Sequence, residues 1–307
     1  MACLQSAKSI KLYRRQLSKW FKWISEKRHC SSDVRQYIVT DKVGSVQMIA
    51  INRPEKRNAI NPTTAVQLFQ AIKDFESDEE TTAAVLYGKG GVFSSGFDLA
   101  ALAGVSQPYD YIKHCDANGQ GPIGPTRYFC RKPVIAAIEG YAVAGGMELA
   151  LWCDLRIMEE NAIMGVHCRR FGVPLVDGGT MRLPKLIGLS RALDLILTGR
   201  EVKAKEALEI GLVHRICDTG STVGRALMVA QELSKFPQEC MLHDRACAYA
   251  SSFDNTSSEE ALLHEFKTGV EIFEKESIKG AQRFVDGVGR HGSFNLRKIQ
   301  DATEEGK

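Results

Sequence analysis

The sequence predicts an α/β layered fold that gives way to helices near its C-terminal end. Short runs of β-branched and apolar residues recur from about residue 46 onward. Segments with helical apolar spacing fall between them, and from about Gly220 the pattern is mainly helical. Strands that alternate with helices imply helices laid on a mostly parallel sheet. The chain's 307 residues allow one or two domains at ~150 residues each.

The elements follow in order. Val46–Ile51 is an apolar run ended by Asn52-Arg53-Pro54, hence a strand. From Pro62 to Phe75, apolar residues at Ala65, Leu68, Phe69, Ile72 and Phe75 share one helical face. Pro62 fits the first turn, where its missing N–H is no loss. Ala83–Tyr87 is the next strand, followed by a turn at Gly88, Gly90 and Gly91. Val134–Ala137 is a third strand. Gly145 and Gly146 then introduce a helix through Met147–Trp152, and Leu155–Met158 is another strand. Leu193–Thr198 and Ala204–Ile210 are helices stopped by Gly199 and Gly211.

Composition excludes several classes. Hydrophobic residues make up 44% and charged residues 25%, ordinary for a soluble globular protein and unlike collagen-like, disordered or disulfide-stapled chains. No apolar run reaches the ~18 residues of a membrane-spanning helix. The nine cysteines form no CxxC pair, which argues against a disulfide framework or zinc site and for a reducing compartment. Residues 1–35 hold nine basic and two acidic residues, a net +7, which leaves −4 on the remainder of a chain whose total is +3. An acidic body argues against nucleic acid as the main partner. Leu17, Trp20, Phe21 and Ile24 lie on one helical face of the basic leader, so residues 1–35 read as a mitochondrial transit peptide. A membrane-surface helix or solvated extension is the alternative.

Two segments can hold chemistry. In Phe93–Leu99 a glycine turn, Gly96, precedes Phe97 and Asp98 and permits close approach of backbone to a ligand. In Lys132–Asp154 a buried strand ends in glycines beside a new helix. The unpaired N–H groups and dipole of a helix start favour an anion, so a developing oxyanion fits at the Gly145 or Gly146 amide. Glu148 lies in that first turn. Spacing alone allows two readings of it, a reacting carboxylate or one favoured by the helix dipole.

The segments 52–60 (NRPEKRNAI), 93–99 (FSSGFDL), 132–157 (KPVIAAIEGYAVAGGMELALWCDLRI), 172–188 (GVPLVDGGTMRLPKLIG) and 197–213 (LTGREVKAKEALEIGLV) together resemble the crotonase family, the enoyl-CoA hydratase/isomerase superfamily. The resemblance runs from about Tyr37 to Phe294. It implies a spiral of ββα turns over residues 36–220 and a helical region over 221–307 that helps build a trimer or a dimer of trimers. It also implies a coenzyme A thioester as substrate, with CoA entering as part of the substrate and no separate cofactor or metal. The resemblance assigns the oxyanion-binding amides to Phe97 and Gly145, with Gly96, Gly146, Ala59 and Leu99 around them. Lys56 and Arg57 become candidates for the CoA phosphate, or a solvated basic loop. Asp98 is expected to fix the first oxyanion loop.

Hydratases of this family use two glutamates, and Glu148 stands at the first position. The second falls near Cys168, where the run Gly165–Gly172 holds no acid. A thiol, with a free pKa of ~8.5, is a poor substitute for a carboxylate. Asp177 is the nearest alternative acid, or else an aspartate that bonds turn amides. His167 beside Cys168 suggests a nucleophilic dyad, but neighbours on an extended strand point to opposite faces. Arg169 and Arg170 suit a carboxylate on the acyl group or a surface. The expected function is a hydratase-like lyase of acyl-CoA metabolism. A decarboxylase or isomerase, and a non-catalytic CoA- or RNA-binding scaffold, are the alternatives. The stretch Ala101–Tyr128 is expected to cover the acyl pocket.

Overall fold

The structure is a computed structural model that describes residues 35–115, 119–254 and 256–289. By its contacts the chain divides into Met1–Gln36 and Tyr37–Lys307. The leader helix expected around Leu17–Ile24 lies outside the described residues, as does the end of the chain beyond 289.

A hairpin of β1 (Ile38–Val43) and β2 (Val46–Ile51) opens the second unit. After it come α1 (Pro62–Ser77), β3 (Ala83–Gly88), α2 (Leu99–Ala103), α3 (Pro108–Ile112), β4 (Val134–Ile138), β5 (Tyr141–Val143) and α4 (Gly145–Trp152). Next are β6 (Leu155–Glu159), β7 (Ile163–Gly165), α5 (Gly179–Ile187), α6 (Leu189–Thr198), β8 (Glu201–Lys203), α7 (Ala204–Glu209) and β9 (Arg215–Cys217). Helices α8 (Thr222–Leu233), α9 (Gln238–Phe253), α10 (Ser258–Ile272) and α11 (Ile278–Val285) complete the described chain.

The large sheet has the order β1-β2-β3-β4-β6-β9, parallel except for the opening hairpin. The small sheet is β5-β7-β8. Isolated parallel bridges Ile60↔Phe97 and Ser94↔Ala142 repeat the same step on neighbouring turns. Strands β2, β3, β4 and β6 thus each pass to a short extended segment and then to a helix, which is the expected ββα spiral.

Burial on both faces of the large sheet explains the unbroken apolar runs. Ile49, Ile51, Ala84, Leu86, Val134, Ala136 and Ile138 enter the main core with Leu68, Ile72 and Phe75 of α1. The intervening Val46, Met48, Ala83, Val85, Ile135 and Ala137 pack on Ala226, Val229 and Ala230 of α8. Each fully buried large apolar side chain contributes about 1.5–3 kcal/mol. Helix α8 therefore belongs to the sheet's outer layer, although the sequence assigned it to the C-terminal region beginning at residue 221. Asn61 caps α1 by accepting from the Thr64 amide at 2.9 Å, worth ~1 kcal/mol.

Helix α6 starts at Leu189, four residues before the sequence pattern indicated. The strands β5, β7, β8 and β9, three residues each, are too short to express a period-2 signal. His167–Phe171 is a 3-10 turn, not a strand, so the opposite-faces argument against a His167–Cys168 dyad does not apply.

Candidate active site

Two main-chain turns meet at one end of the spiral. In the first, the Ser95 amide donates to Arg57 O at 3.0 Å and the Asp98 amide to Ile60 O at 3.0 Å. The Gly96 amide donates to Ser94 Oγ at 3.1 Å. The Phe97 N–H between them meets no acceptor among the described residues. In the second turn, Ala144 donates to Gly165 O at 2.8 Å and takes φ 53°, a strained conformation for a residue with a side chain. That kink turns the chain from β5 into α4, and the Gly145 N–H that follows also meets no acceptor among the described residues. The turns touch at Gly96, which has φ +86°. A Cβ there would lie 2.6 Å from the Gly145 nitrogen, so any side chain would cover the second free amide.

A cavity of about 340 Å³ opens beside these amides. Lys56, Ala59, Phe97, Asp98, Leu99, Gly145, Glu148 and Cys168 all line it. Arg57, Gly96, Gly146 and Asp177 do not. Gly96 lies behind the lining, and Gly146 packs against the Ser94 carbonyl, where a Cβ would meet the oxygen at 2.1 Å. The far wall is Phe171, Val173 and Pro174, with His167 beside Cys168. None of the described residues of 101–128 lines the cavity, in contrast to the expected cover. Tyr111 instead stands behind Phe97, with ring centroids 5.7 Å apart, and donates to Ile60 O at 3.0 Å.

Asp98 fixes the first loop in two ways. One oxygen accepts from the Ala101 amide at 3.2 Å and caps α2. The other pairs with Arg53 at 2.8 Å, both side chains nearly buried. Burial pushes the Asp98 pKa up, but the bonds from Arg53 and Ala101 outweigh it and hold the group below the ordinary carboxylate range. Asp98 is therefore an ionised structural anchor. The signal for Arg53 was absent from the sequence, because its partner lies 45 positions away.

Glu148 is 3% exposed. Its Oε1 accepts from the Asp177 amide at 3.0 Å and the Gly179 amide at 2.8 Å. Burial, and then the charge of Asp177, raise its pKa to about 8 against the pull of those amides. At neutral pH it is mostly a carboxylic acid within reach of the cavity. Asp177 is fully buried. Its Oδ1 accepts from the Ile123 amide at 3.3 Å and from the Thr126 hydroxyl, so it bonds turn groups and does not stand in for a second cavity acid. Cys168 is buried, and its thiol pKa is raised by burial and then by Glu148. Burial, then Arg170, lowers that of His167. Arg169 donates to Ile196 O at 3.2 Å and neither it nor Arg170 lines the cavity.

Residues 41–289 match the enoyl-CoA hydratase/isomerase family model. The chain belongs to that family. Its relatives include a putative enoyl-CoA hydratase of Thermus thermophilus, 39% identical over 62% of this chain and 76% of the relative. A probable mitochondrial enoyl-CoA hydratase of Dictyostelium discoideum is 32% identical over 69% of this chain and 73% of the relative. The crystal structure of an enoyl-CoA hydratase from Mycobacterium tuberculosis superposes with a TM-score of 0.75 at 30% identity, over 82% of this chain and 96% of that one. As a member of the enoyl-CoA hydratase/isomerase family, the chain is an acyl-CoA enzyme of hydratase-like type with the spiral fold of its relatives. No described helix is long and apolar enough to cross a membrane.

Proposed function

We propose that the chain hydrates an enoyl-CoA thioester, or dehydrates its 3-hydroxy product, with a single acid–base group. The observation that carries this is the convergence of the free Phe97 and Gly145 amides and Glu148 on one cavity. The thioester oxygen accepts from both amides, which stabilise the enolate that forms when water adds to Cβ. Ionised Glu148 takes a proton from the water as it attacks. The resulting acid returns a proton to Cα, and the enolate collapses to the thioester. Each oxyanion donor supplies ~2.7–4 kcal/mol to such a transition state. CoA arrives with the substrate, so the reaction needs no separate cofactor, and Lys56 at the cavity mouth faces its phosphates. The reacting form of Glu148 is the carboxylate, so kcat/KM for hydration rises with pH up to about 8.

One feature favours a second reading. Apart from the ion-paired Asp98, Glu148 is the sole carboxylate among the cavity's lining residues. Isomerisation and decarboxylation need the enolate pocket and one proton-transfer group, and Cys168 imposes nothing against them. A non-catalytic scaffold would still bind CoA. The full chain assayed on enoyl-, 3-hydroxyacyl- and malonyl-type CoA thioesters decides among these. Hydration of a 2-enoyl-CoA to its 3-hydroxy product supports the first reading. Turnover of malonyl-type or 3-enoyl substrates alone replaces it with the second. CoA binding without turnover makes the chain a scaffold.

The basic leader supports a mitochondrial location, and the helical C-terminal region supports a trimer or a dimer of trimers. A fluorescent fusion of residues 1–40 should enter mitochondria and fail to do so when Arg14, Arg15, Lys19 and Lys22 become Glu.

A further inference from the structure

Behind Glu148, out of the cavity, three segments are tied together by buried polar groups. Arg182 of α5 donates through Nη1 to Asp177 O at 2.9 Å and through Nη2 to Thr126 O at 2.6 Å. Asp177 sends its carboxylate the other way, to the Thr126 hydroxyl and the Ile123 amide. Its own amide, with that of Gly179, holds Glu148 Oε1. The packing leaves no slack. A Cβ on Gly178 would lie 2.2 Å from Arg182 Nη1, and one on Gly179 would lie 2.9 Å from Glu148 Oε1. Asp177 Oδ2 is buried without a partner, and a free buried carboxylate oxygen is costly unless it has a use.

We infer that Asp177 and Arg182 are positioning residues, a buried brace of opposite charges that aims the Glu148 carboxylate into the cavity and sets its acidity from behind. The inference rests on Glu148 being the acid–base group. The titratable and charged groups that act on Glu148 are Asp177 on the loop before α5, Arg182 on α5 and the Cys168 thiol on the 3-10 turn. Asp177 opposes ionisation of Glu148 and Arg182 assists it. The two halves of the brace therefore pull in opposite directions electrostatically while they cooperate mechanically.

Those opposite signs separate the brace from ordinary structural support. The Glu148 carboxyl can be titrated by infrared difference spectroscopy on the full chain, its band assigned by loss in Glu148→Gln. Asp177→Asn keeps an acceptor for Thr126 and Ile123 but removes the charge, and should move the midpoint down. Arg182→Gln should move it up. Each shift should reach about half a pH unit or more. Arg182→Lys, which keeps the charge, should return the midpoint to the parent value. The acidic limb of kcat, along which the rate rises as Glu148 ionises, should follow each midpoint while KM changes little. Asp177→Ala, which drops the tie, should lower kcat at every pH. Midpoints that stay fixed, or that move in the same direction in both variants, overturn the inference. Opposite shifts in a protein whose Glu148→Gln variant keeps full turnover leave the brace standing and refute the acid–base role. Fixed midpoints with an inactive Glu148→Gln variant do the reverse.

Discussion

The two working walls of the cavity are built by different means. One is main chain. The Phe97 and Gly145 amides stay free while their neighbours Ser95, Gly96, Asp98 and Ala144 donate to Arg57 O, Ser94 Oγ, Ile60 O and Gly165 O. The other is side chain. Glu148 is held by amides 29 and 31 positions away, and Asp177, which carries the first of them, is held in turn by Arg182, Thr126 and Ile123. A donor made of backbone tolerates almost any side chain at its own residue, which is why bulky Phe97 can also line the pocket. A carboxylate in a buried site depends on everything around it. The first wall should fail through its glycine, and the second through its distant supports.

The largest effect is expected at the side-chain wall. Glu148→Gln keeps an oxygen to accept from the Asp177 and Gly179 amides but cannot exchange protons, so kcat should fall by roughly 10²–10⁴ with little change in CoA affinity. The same variant has a second signature. The folded-state pKa of Glu148 is raised from 4.5 to about 8, so the wild type is stabilised by the protonated acid below about 4.5 and loses that stability as pH rises through about 8. Glutamine carries no such loss. Thermal scans should show the variant's melting temperature gaining on the wild type between those two values, then running parallel. A constant difference across the range would mean that Glu148 ionises freely.

Arg53→Ala tests the support of the main-chain wall. It strips a buried Asp98 of its partner and leaves Ala59 O without its donor. Breaking such a pair costs about 3–5 kcal/mol, readable by urea denaturation, and the first oxyanion loop should loosen with it. Unchanged stability would show that Asp98 is anchored by the α2 cap alone. Gly96→Ala is the sharper probe of that wall. It forces a side chain into φ +86° and places a methyl 2.6 Å from the Gly145 nitrogen. Loss of one oxyanion donor should cost ~2.7–4 kcal/mol in kcat/KM, while binding of free CoA, which has no thioester oxygen, should persist. Full turnover in a folded Gly96→Ala protein would remove Gly145 from the oxyanion site.

The same division explains what the sequence made legible. Residues 93–99 and 145–148 signal a close backbone approach and a helix start through their glycines, but spacing left Gly145 and Gly146 open and allowed two readings of Glu148; the choice of the Phe97 and Gly145 amides came from the family resemblance. The long strands were readable because parallel strands buried on both faces are unbroken apolar runs. The Arg53–Asp98 pair was not, nor was the kink at Ala144, where an ordinary residue adopts a backbone shape that glycine usually signals. Asp177 shows the limit best. Its type and spacing allowed a reacting acid, and only its burial and its bonds to Thr126 and Ile123 make it a support. The described residues of 101–128 stay out of the cavity lining for a related reason: Tyr111 turns inward to Ile60 O, a contact no local pattern encodes.

The smallest effect, and the one that tests the asymmetry of the side-chain wall itself, belongs to Cys168. It lines the cavity from the 3-10 turn His167–Phe171. Burial and the neighbouring Glu148 both hold its thiol in the neutral form, so it offers neither a thiolate nor an acid of useful strength. Nothing ties it to Glu148 in the way that Asp177 and Gly179 are tied. Cys168→Ser changes the wall by one atom and keeps a weak donor, and should leave kcat within about twofold, since a group that moves no proton contributes no Brønsted factor. Cys168→Ala should behave alike, with any change confined to KM through the small gap it leaves. The informative measurement is kcat for both variants across pH on the substrate that the thioester assay identifies. A drop of tenfold or more in Cys168→Ala, rescued in Cys168→Ser, would mean that the hydroxyl or thiol hydrogen is passed to the substrate. The cavity would then have two proton-handling walls, and a one-base mechanism would no longer describe it.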